Sequence, residues 1–231
     1  MIEIDNYEVL TFDCYGTLID WESGILAALR PMSVHNVNLS NEQILEIFAE
    51  LETEQEKGEY LKYKEVLRGV VQNLGEHLSF ARDSIELDFL ANSLKNWQPF
   101  PDTVEALKEL KKKFKLAVIS NIDDDLFAFS ANKLDVKFDW VITAEQAKSY
   151  KPSLNNFNLA IERIAVPSEK ILHVAQSIYH DIIPAKSLGL STVWVNRRGS
   201  KEGFGATPSA SAQPDLEVPD LKTLVSISNK S

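Results

Sequence analysis

Residues 7–20 read YEVLTFDCYGTLID, and this stretch decides the fold. Its first half, Tyr7 to Phe12, is rich in apolar, aromatic and β-branched side chains, which predicts a buried strand. Asp13 follows directly, and a carboxylate at the end of a buried strand is tolerable only beside charged or hydrogen-bonding partners. Gly16 then permits a sharp turn, after which backbone amides can point at an anionic group. The alternative is that this stretch is only a strand end with an aspartate and a tight turn. That explanation fits most isolated Asp-x-x-Gly sequences.

Four further runs have the same character. They are Leu116 to Ile119, Trp140 to Ile142, Ile171 to Ala175 and Thr192 to Val195. Helical patterns, such as Thr103 to Lys113 and Asn155 to Ile164, lie between the later runs. This alternation predicts an α/β fold with a Rossmann-like, doubly wound parallel sheet covered on both faces. Such sheets bind ligands beyond the carboxyl ends of their strands, where this chain places polar residues.

The stretch from Trp21 to Trp97 is helical in pattern and has no convincing strand. Three helices are predicted, the first from Ile44, Ile47, Phe48 and Leu51, the second from Leu61, Val66, Val70 and Leu74, and the third over Ile85 to Leu94. We therefore expect a catalytic core of residues 1–20 and 98–231 and a helical cap domain of residues 21–97 inserted into it. Gly199 to Pro214 predicts a loop, and Leu216 to Ile227 a final short segment and helix.

The composition is that of a globular protein with a substantial core. The chain has 231 residues, of which 44% are hydrophobic and 25% charged. The net charge of -10 and the absence of a long basic run argue against a nucleic-acid or anionic-membrane partner. Cys14 is the only cysteine, the N-terminus has acids where a signal peptide would be basic, and no apolar run approaches the roughly 20 residues of a membrane span. We expect a soluble, cytoplasmic protein.

Four motifs occur in order at predicted strand ends. Asp13 and its Gly-Thr turn come first, and Ser120-Asn121, Lys151-Pro152 and Asp181 follow. This series resembles the signature of the haloacid dehalogenase superfamily, and the Asp-x-Tyr-Gly-Thr-Leu form resembles its L-2-haloacid dehalogenase branch. The helical insert sits where that family has its cap.

The resemblance implies a role for each motif. Asp13 would be the nucleophile that forms an ester or acyl phosphate with the substrate. Thr17 and Ser120 would donate hydrogen bonds, and Lys151 would keep Asp13 ionised. Asp181 would orient or activate the hydrolytic water; its alternative role is to cap the following helix. Binding residues are expected at three further positions, Tyr15, Asn121 and Ser177, although Asn121 could instead shape its loop.

Two positions favour dehalogenase over phosphatase chemistry. Phosphatases of the superfamily carry a proton-donating acid two residues after the nucleophile, where this chain has Tyr15, a phenol with a pKa near 10. Halide departs without a proton. The Gly-Asp pair with which the phosphatases hold Mg²⁺ aligns with Gln176 and Ser177. We therefore expect no required cofactor, although weak Mg²⁺ binding through Asp13 and Asp181 stays open.

The substrate side of the site departs from the dehalogenase pattern. That branch has a cap arginine, but this chain has none between Arg30 and Arg68, either of which could substitute. The matching helix instead carries four acids, Glu50, Glu52, Glu54 and Glu56, with Glu50 nearest the expected place. An acid there would repel a carboxylate substrate, unless these residues form a solvated face. Phe157, Gln176 and Ile178 replace a tyrosine, a serine and an asparagine of the dehalogenases.

Cys14 and His180 each lie beside one of the two aspartates in the sequence. Cys14 is flanked by apolar and aromatic side chains and is expected to be packed and not reactive. His180, beside Asp181, is either a proton relay or a surface histidine.

Three hypotheses follow. The first is a hydrolase that acts through an aspartyl ester, with a small 2-haloacid or related electrophile as substrate. The second is a Mg²⁺-dependent phosphatase of small phosphate monoesters, and the third is a non-catalytic binding protein that keeps the fold. The resemblance is also compatible with a homodimer.

Overall fold

The computed structural model describes residues 2–32, 39–78, 86–199 and 205–230. The described residues form a six-stranded sheet of strand order β3-β2-β1-β4-β5-β6 in which every neighbouring pair is parallel. The strands are β1 (Val9–Phe12), β2 (Lys115–Ser120), β3 (Trp140–Thr143), β4 (Ile171–Ala175), β5 (Ser191–Val195) and β6 (Leu216–Val218). The α/β prediction is confirmed, and the five predicted strands lie within two residues of their expected bounds. The sixth strand begins the segment at Leu216 for which no strand was predicted.

The helices fall into two groups along the chain. Between β1 and β2 lie α1 (Trp21–Leu29), α2 (Asn41–Gln55), α3 (Tyr63–Leu78), α4 (Phe89–Ser93) and α5 (Thr103–Lys111). Beyond β2 lie α6 (Asp124–Leu134), α7 (Ala144–Ala147), α8 (Leu154–Ile164), α9 (Ile183–Ser187) and α10 (Leu221–Ser228). The helices α1 to α4 occupy the expected insertion, whose division from the core at residues 21 and 97 stays a prediction. None of the helices in the described ranges is long and apolar enough to cross a membrane.

Alternate strand residues feed two apolar clusters, one on each face of the sheet, as expected for a doubly wound fold. The first cluster joins the helices α5, α6 and α10 to the strand residues Leu10, Phe12, Leu116, Val118, Leu172 and Val174. The second joins α8 and α9 to Val9, Ala117, Ile119, Ile142 and Ile171. Because β1 is buried on both faces between β2 and β4, its carboxyl end opens at the centre of the sheet edge.

Helix α2 begins at a capping box in which Ser40 and Gln43 exchange side-chain-to-backbone hydrogen bonds. Its buried face differs from the predicted one. The buried positions are Ile44, Leu45, Phe48, Ala49 and Glu52, whereas Ile47 and Leu51 are only half-buried. The register is therefore rotated relative to the prediction, and an acid occupies the last buried position of the helix.

Two other expectations for the insert are corrected. Leu61 precedes α3 and is exposed, so it does not belong to the buried face of that helix. The third predicted helix is shorter than expected, because α4 covers only Phe89–Ser93 and a 3-10 turn, Leu94–Asn96, follows it. Ile85, where that prediction began, lies outside the described residues.

Candidate active site

The carboxyl ends of the central strands bring the predicted site residues together. Asp13 follows β1, Ser120 ends β2 and Ser177 follows β4. Lys151 reaches the same place from the loop between α7 and α8. Since the three strands are parallel neighbours, residues that are far apart in sequence meet at one edge of the sheet.

Asp13 is held by one hydroxyl and one ammonium group. The residue is 6% exposed. The Thr17 hydroxyl donates a 2.6 Å hydrogen bond to Oδ2, and Lys151 Nζ donates a 2.8 Å bond to Oδ1. The turn between Asp13 and Thr17 needs Gly16, whose φ is +92° and whose surroundings leave little room for a Cβ atom. The backbone N–H of Gln176 donates to the Thr17 hydroxyl, which fixes its orientation toward Asp13.

Lys151 uses all three of its N–H donors within the site. Besides Asp13, its Nζ atom donates to the backbone oxygen of Ile119 at 3.0 Å and to Asp181 Oδ1 at 2.7 Å. The Asn121 side chain holds the Lys151 backbone at both polar atoms, accepting from its N–H at 2.7 Å and donating to its carbonyl at 3.1 Å. The Asn121 amide therefore fixes the segment that carries Lys151, which is not the loop of its own strand end that the alternative role concerned.

Asp181 lies within a π-helical turn, Ile178–Ile182, whose N-cap is Ser177. Asp181 is thus not the helix cap that was considered as its alternative role. Its Oδ1 atom accepts hydrogen bonds from Lys151 and, at 3.0 Å, from the Nε2 atom of His173. Its Oδ2 atom is buried and has no hydrogen-bond partner among the described residues, so it is free to accept a bond from a water or a ligand.

His173 is a site residue that the sequence did not indicate. It lies in the middle of β4, is fully buried, and contacts the Thr11 hydroxyl of β1 through Nδ1 at 2.9 Å. With Asp181 ionised, Nε2 is the protonated nitrogen and Nδ1 accepts from Thr11. The only sequence signal was a polar residue inside an apolar strand, opposite a second polar residue in the neighbouring strand.

Burial and charge act against each other at the two aspartates. Burial, together with the charge of Asp181, raises the pKa of Asp13, and Lys151 and Thr17 counteract this rise. For Asp181, burial also favours the neutral acid, but Lys151 and His173 outweigh it and the pKa is lowered. The pKa of Lys151 is raised because the two carboxylates overcome its burial. The ammonium group therefore stays charged, and the ionisation of Asp13 depends on it.

A small cavity of about 40 Å³ opens over Asp13. Seven of the eight predicted site residues line it, namely Asp13, Tyr15, Ser120, Asn121, Lys151, Ser177 and Asp181. The eighth, Thr17, is fully buried behind Asp13. The Ser120 hydroxyl is buried without a hydrogen-bond partner in the described part of the chain. The volume is enough for a few waters or one small ligand.

Tyr15 and Ser177 line the cavity with hydroxyls that already have partners. The Tyr15 hydroxyl lies 2.9 Å from the Ser130 hydroxyl, and its ring packs edge-on against Trp97. Burial raises the pKa of the Tyr15 phenol well above its usual value. Ser177 accepts a bond from the backbone N–H of His180 and contacts its ring nitrogen. Both residues contribute shape and polarity to the cavity wall.

His180 also lines the cavity, so it is not the surface histidine of the alternative interpretation. Burial lowers the pKa of its ring to about 4, which leaves it neutral at pH 7. Cys14 is completely buried, and burial raises its thiol pKa well above the usual range.

The insert closes the cavity with acids at two positions that were not singled out. Glu52 and Glu56 line it, together with Trp21 and Tyr63, whereas Glu50 is exposed. The Tyr63 hydroxyl donates to Glu52 at 2.5 Å, and burial raises the pKa of Glu52 to about 7.

Neither arginine that could have replaced the expected one lines the cavity. Arg30 bonds to Asn41, and Arg68 pairs with Asp88 and Glu65.

The structure is thus an α/β protein whose first strand delivers a lysine-paired carboxylate to a cavity beneath inserted helices. The protein-family model for haloacid dehalogenase-like hydrolases matches residues 7–189. The chain therefore belongs to that family, which confirms the predicted superfamily and makes the protein a hydrolase.

Known dehalogenases are similar to this chain over nearly its full length. The chain is 27% identical over 222 residues to (S)-2-haloacid dehalogenase H-109 of Pseudomonas putida, covering 92% of this chain and 96% of the relative. It is 26% identical over 225 residues to haloacetate dehalogenase H-2 of Moraxella sp. (strain B), covering 94% and 96%. The solved structure of L-2-haloacid dehalogenase from Xanthobacter autotrophicus with covalently bound chloropropionic acid has the same fold, with a TM-score of 0.79, 22% identity and coverage of 96% and 98%.

Proposed function

We propose that this protein hydrolyses a carbon–halogen bond in a small organic molecule through an ester on Asp13. The observation that carries the proposal is the contact set of Asp13, a carboxylate bonded to Lys151 and Thr17 and open to a cavity of ligand size. The full-length similarity to 2-haloacid dehalogenases supports this reaction over others of the family.

The chemistry takes two steps. An Asp13 oxygen attacks the halogen-bearing carbon, a C–O bond forms, and halide leaves with the bonding electron pair. Water then attacks the carboxyl carbon of the ester, which frees the alcohol and restores the Asp13 carboxylate. The free Oδ2 of Asp181 suits this residue for orienting the water and accepting its proton. Ser120 and the Lys151 ammonium group would stabilise the oxygen that becomes negative.

The residues present do not fit a dedicated magnesium site, and we propose that none is required. Lys151 Nζ lies between the carboxylates of Asp13 and Asp181, within 2.8 Å of each. The aligned Gln176 and Ser177 supply no carboxylate. No group of three or more His, Cys, Asp or Glu side chains in the described ranges is arranged to hold a metal ion. The phosphatase alternative also lacks its proton donor, because the Tyr15 phenol has a raised pKa and is bonded to Ser130.

The decisive experiment measures halide release from 2-chloroacids, chloroacetate and chloroacetamide, with and without Mg²⁺. Asp13→Asn should abolish release while circular dichroism shows the fold intact; Asp5→Asn, at an exposed aspartate, is the matched control. A single turnover in ¹⁸O-water should place the label in Asp13 and not in the first alcohol formed. Peptide mass spectrometry must place the adduct on Asp13, as an ester, and not on Cys14, where alkylation would give a thioether.

Two outcomes would reject the proposal. Phosphate monoester hydrolysis that a chelator abolishes would establish the phosphatase alternative. If Asp13 stays unmodified after exposure to each of the organic halides tested, the result would support the alternative of a non-catalytic binding protein.

A further inference from the structure

The insert side of the cavity carries two carboxyl groups in place of a cation. Glu52 lies one helical turn beyond Phe48 on the buried face of α2, and Glu56 follows one turn later, just past the end of the helix. Glu52 is 7% exposed and accepts a hydrogen bond from Tyr63. No described residue donates a hydrogen bond to the Glu56 carboxylate, although the side chain faces the cavity.

The charges around the cavity are unbalanced. Its described lining contains four carboxyl groups, those of Asp13, Asp181, Glu52 and Glu56, and one ammonium group, that of Lys151. All three N–H donors of Lys151 are already bonded to Asp13, Asp181 and Ile119. The neutral His180 ring adds no positive charge. Burial raises the pKa of Glu52 to about 7, and burial together with the charge of Glu52 raises the pKa of Glu56 well above its usual value. A cation that entered would favour the ionised form of both, whereas a carboxylate that entered would meet the ionised Asp13 and Asp181 without a free cation among these residues.

The unpartnered atoms at the base of the cavity point to the same kind of ligand. Asp181 Oδ2 accepts but cannot donate while ionised, and it has no partner among the described residues. The Ser120 hydroxyl is likewise buried and unpaired there. The Ser120 hydroxyl can accept as well as donate, and Glu56 becomes an acceptor at both oxygens when a cation pairs with it. A ligand rich in N–H donors would satisfy them.

Resting on the proposed hydrolysis at Asp13, we propose that the substrate is a small halide whose non-reacting end is a nitrogen cation held by Glu52 and Glu56. Amidinium and ammonium groups have the positive charge and the N–H donors that this lining lacks. The reacting carbon would face Asp13 on the sheet side, and the cationic group would face α2. The balance of the reaction is unchanged: water and the halide give the alcohol, halide ion and a proton.

Three chloromethyl compounds with planar, nearly isosteric polar groups separate charge from shape. They are chloroacetate, chloroacetamide and chloroacetamidinium, which carry a negative charge, no charge and a positive charge on the same skeleton. We expect kcat/KM to rise in that order, with chloroacetamidinium at least tenfold better than chloroacetate. Equal values, or a preference for chloroacetate, would overturn the inference.

Substitutions on α2 test whether the two glutamates set the preference. Glu56→Gln and Glu52→Gln should each lower kcat/KM for chloroacetamidinium by about tenfold or more, because a charge-assisted contact becomes a neutral one. The value for chloroacetate should stay the same or rise. Glu50→Gln is the matched control, since Glu50 is exposed on the same helix. An unchanged ratio of the two substrates in both cavity variants would overturn the inference.

Binding of non-reacting analogues separates this inference from the proposed hydrolysis. Acetate, acetamide and acetamidinium can be titrated against the wild-type protein and both cavity variants by calorimetry or NMR. Tighter binding of acetamidinium that weakens in Glu56→Gln supports the cation site even if no halide is ever released. Acetate binding as tightly as acetamidinium overturns it, even if Asp13 forms an ester with chloroacetate.

Discussion

Lys151→Met is the substitution that tests the central electrostatic claim. Methionine keeps the length and apolar volume of the side chain but removes the charge and all three N–H donors. In the 1% exposed environment of Lys151, this leaves the carboxylates of Asp13 and Asp181 without their shared cation and the carbonyl of Ile119 without its donor. The carboxylates are too deeply buried for water to replace the lysine fully.

The expected loss of stability follows from these contacts. Breaking a buried ion pair by removing one partner costs about 3–5 kcal/mol. Without Lys151 the folded-state pKa values of the two aspartates rise above the unfolded value near 3.9. The destabilisation is therefore present at pH 8 and is relieved as the pH falls through the raised values. We expect the loss to be clearly smaller at pH 5 than at pH 8.

The expected loss of activity has the same origin. Asp13 must be ionised to attack, and a hydrogen bond to a charged group contributes about 1.5–3 kcal/mol. We expect kcat/KM at pH 7 to fall by about 10²–10³-fold, equivalent to about 2.7–4 kcal/mol of transition-state stabilisation. Activity of the wild type should also fall as the pH drops through the raised pKa of Asp13.

Urea denaturation at both pH values and a halide-release assay measure these effects. Lys112→Met is the control, because Lys112 is exposed and, among the residues that the structure describes, pairs with the exposed Glu109 alone. A Lys151→Met protein that loses less than about 1 kcal/mol at pH 8, or the same amount at both pH values, would refute the electrostatic account. Retention of kcat/KM within threefold would refute the proposed dependence of Asp13 on the ammonium group.

Three further substitutions test single contacts. Burial raises the pKa of Glu52 to about 7, so ionising this group costs the folded state free energy as the pH rises above about 4.5. Glu52→Gln should therefore stabilise the protein by about 3 kcal/mol at pH 8 and hardly at all at pH 4. Equal urea midpoints for the variant and the wild type at pH 8 would contradict this. His173→Leu removes a hydrogen-bond donor to Asp181. We expect kcat to fall by about tenfold and the Asp13 ester to accumulate in mass spectra. A change in KM alone would contradict a role of His173 in water activation. Asn121→Leu removes both hydrogen bonds to the Lys151 backbone. The variant should lose about 2 kcal/mol of stability, and its kcat/KM should fall by about tenfold. Normal activity would show that the loop holds Lys151 in place without the Asn121 amide.

The sequence predicted the sheet, and it located the residues that meet at the carboxyl edge of that sheet, because both rest on short-range signals. A fully buried parallel strand must be an unbroken apolar run, and Asp13, Ser120 and Ser177 stand at or just beyond the ends of such runs. The parallel sheet then brings those ends together without further information. Lys151 came from the resemblance and not from periodicity, since a lysine before a proline in a loop has no pattern of its own.

His173 escaped prediction because its partners are set by strand pairing. In β4 it occupies one position of an apolar run, where a single polar residue is no clear signal. Its significance appears only when the parallel register aligns it with Thr11 of β1 and the π-helical turn brings Asp181 back over the strand. Pairing of this kind links residues 162 positions apart, and no local pattern encodes it.

The register of α2 decides which of its glutamates reach the cavity, and the composition of the helix does not. The sequence showed four glutamates within seven residues, and the resemblance to the dehalogenases placed Glu50 nearest the position of their cap arginine. A rotation of the buried face by about one residue instead buries Glu52 and leaves Glu50 in solvent. Phe48, Glu52 and Glu56 follow one another at four-residue intervals, which is a spacing that keeps residues on one face of a helix. The helical period was therefore compatible with two buried faces, the predicted one and the observed one. Only the packing of α2 and the Tyr63 hydroxyl, which satisfies the buried carboxyl group, select between them.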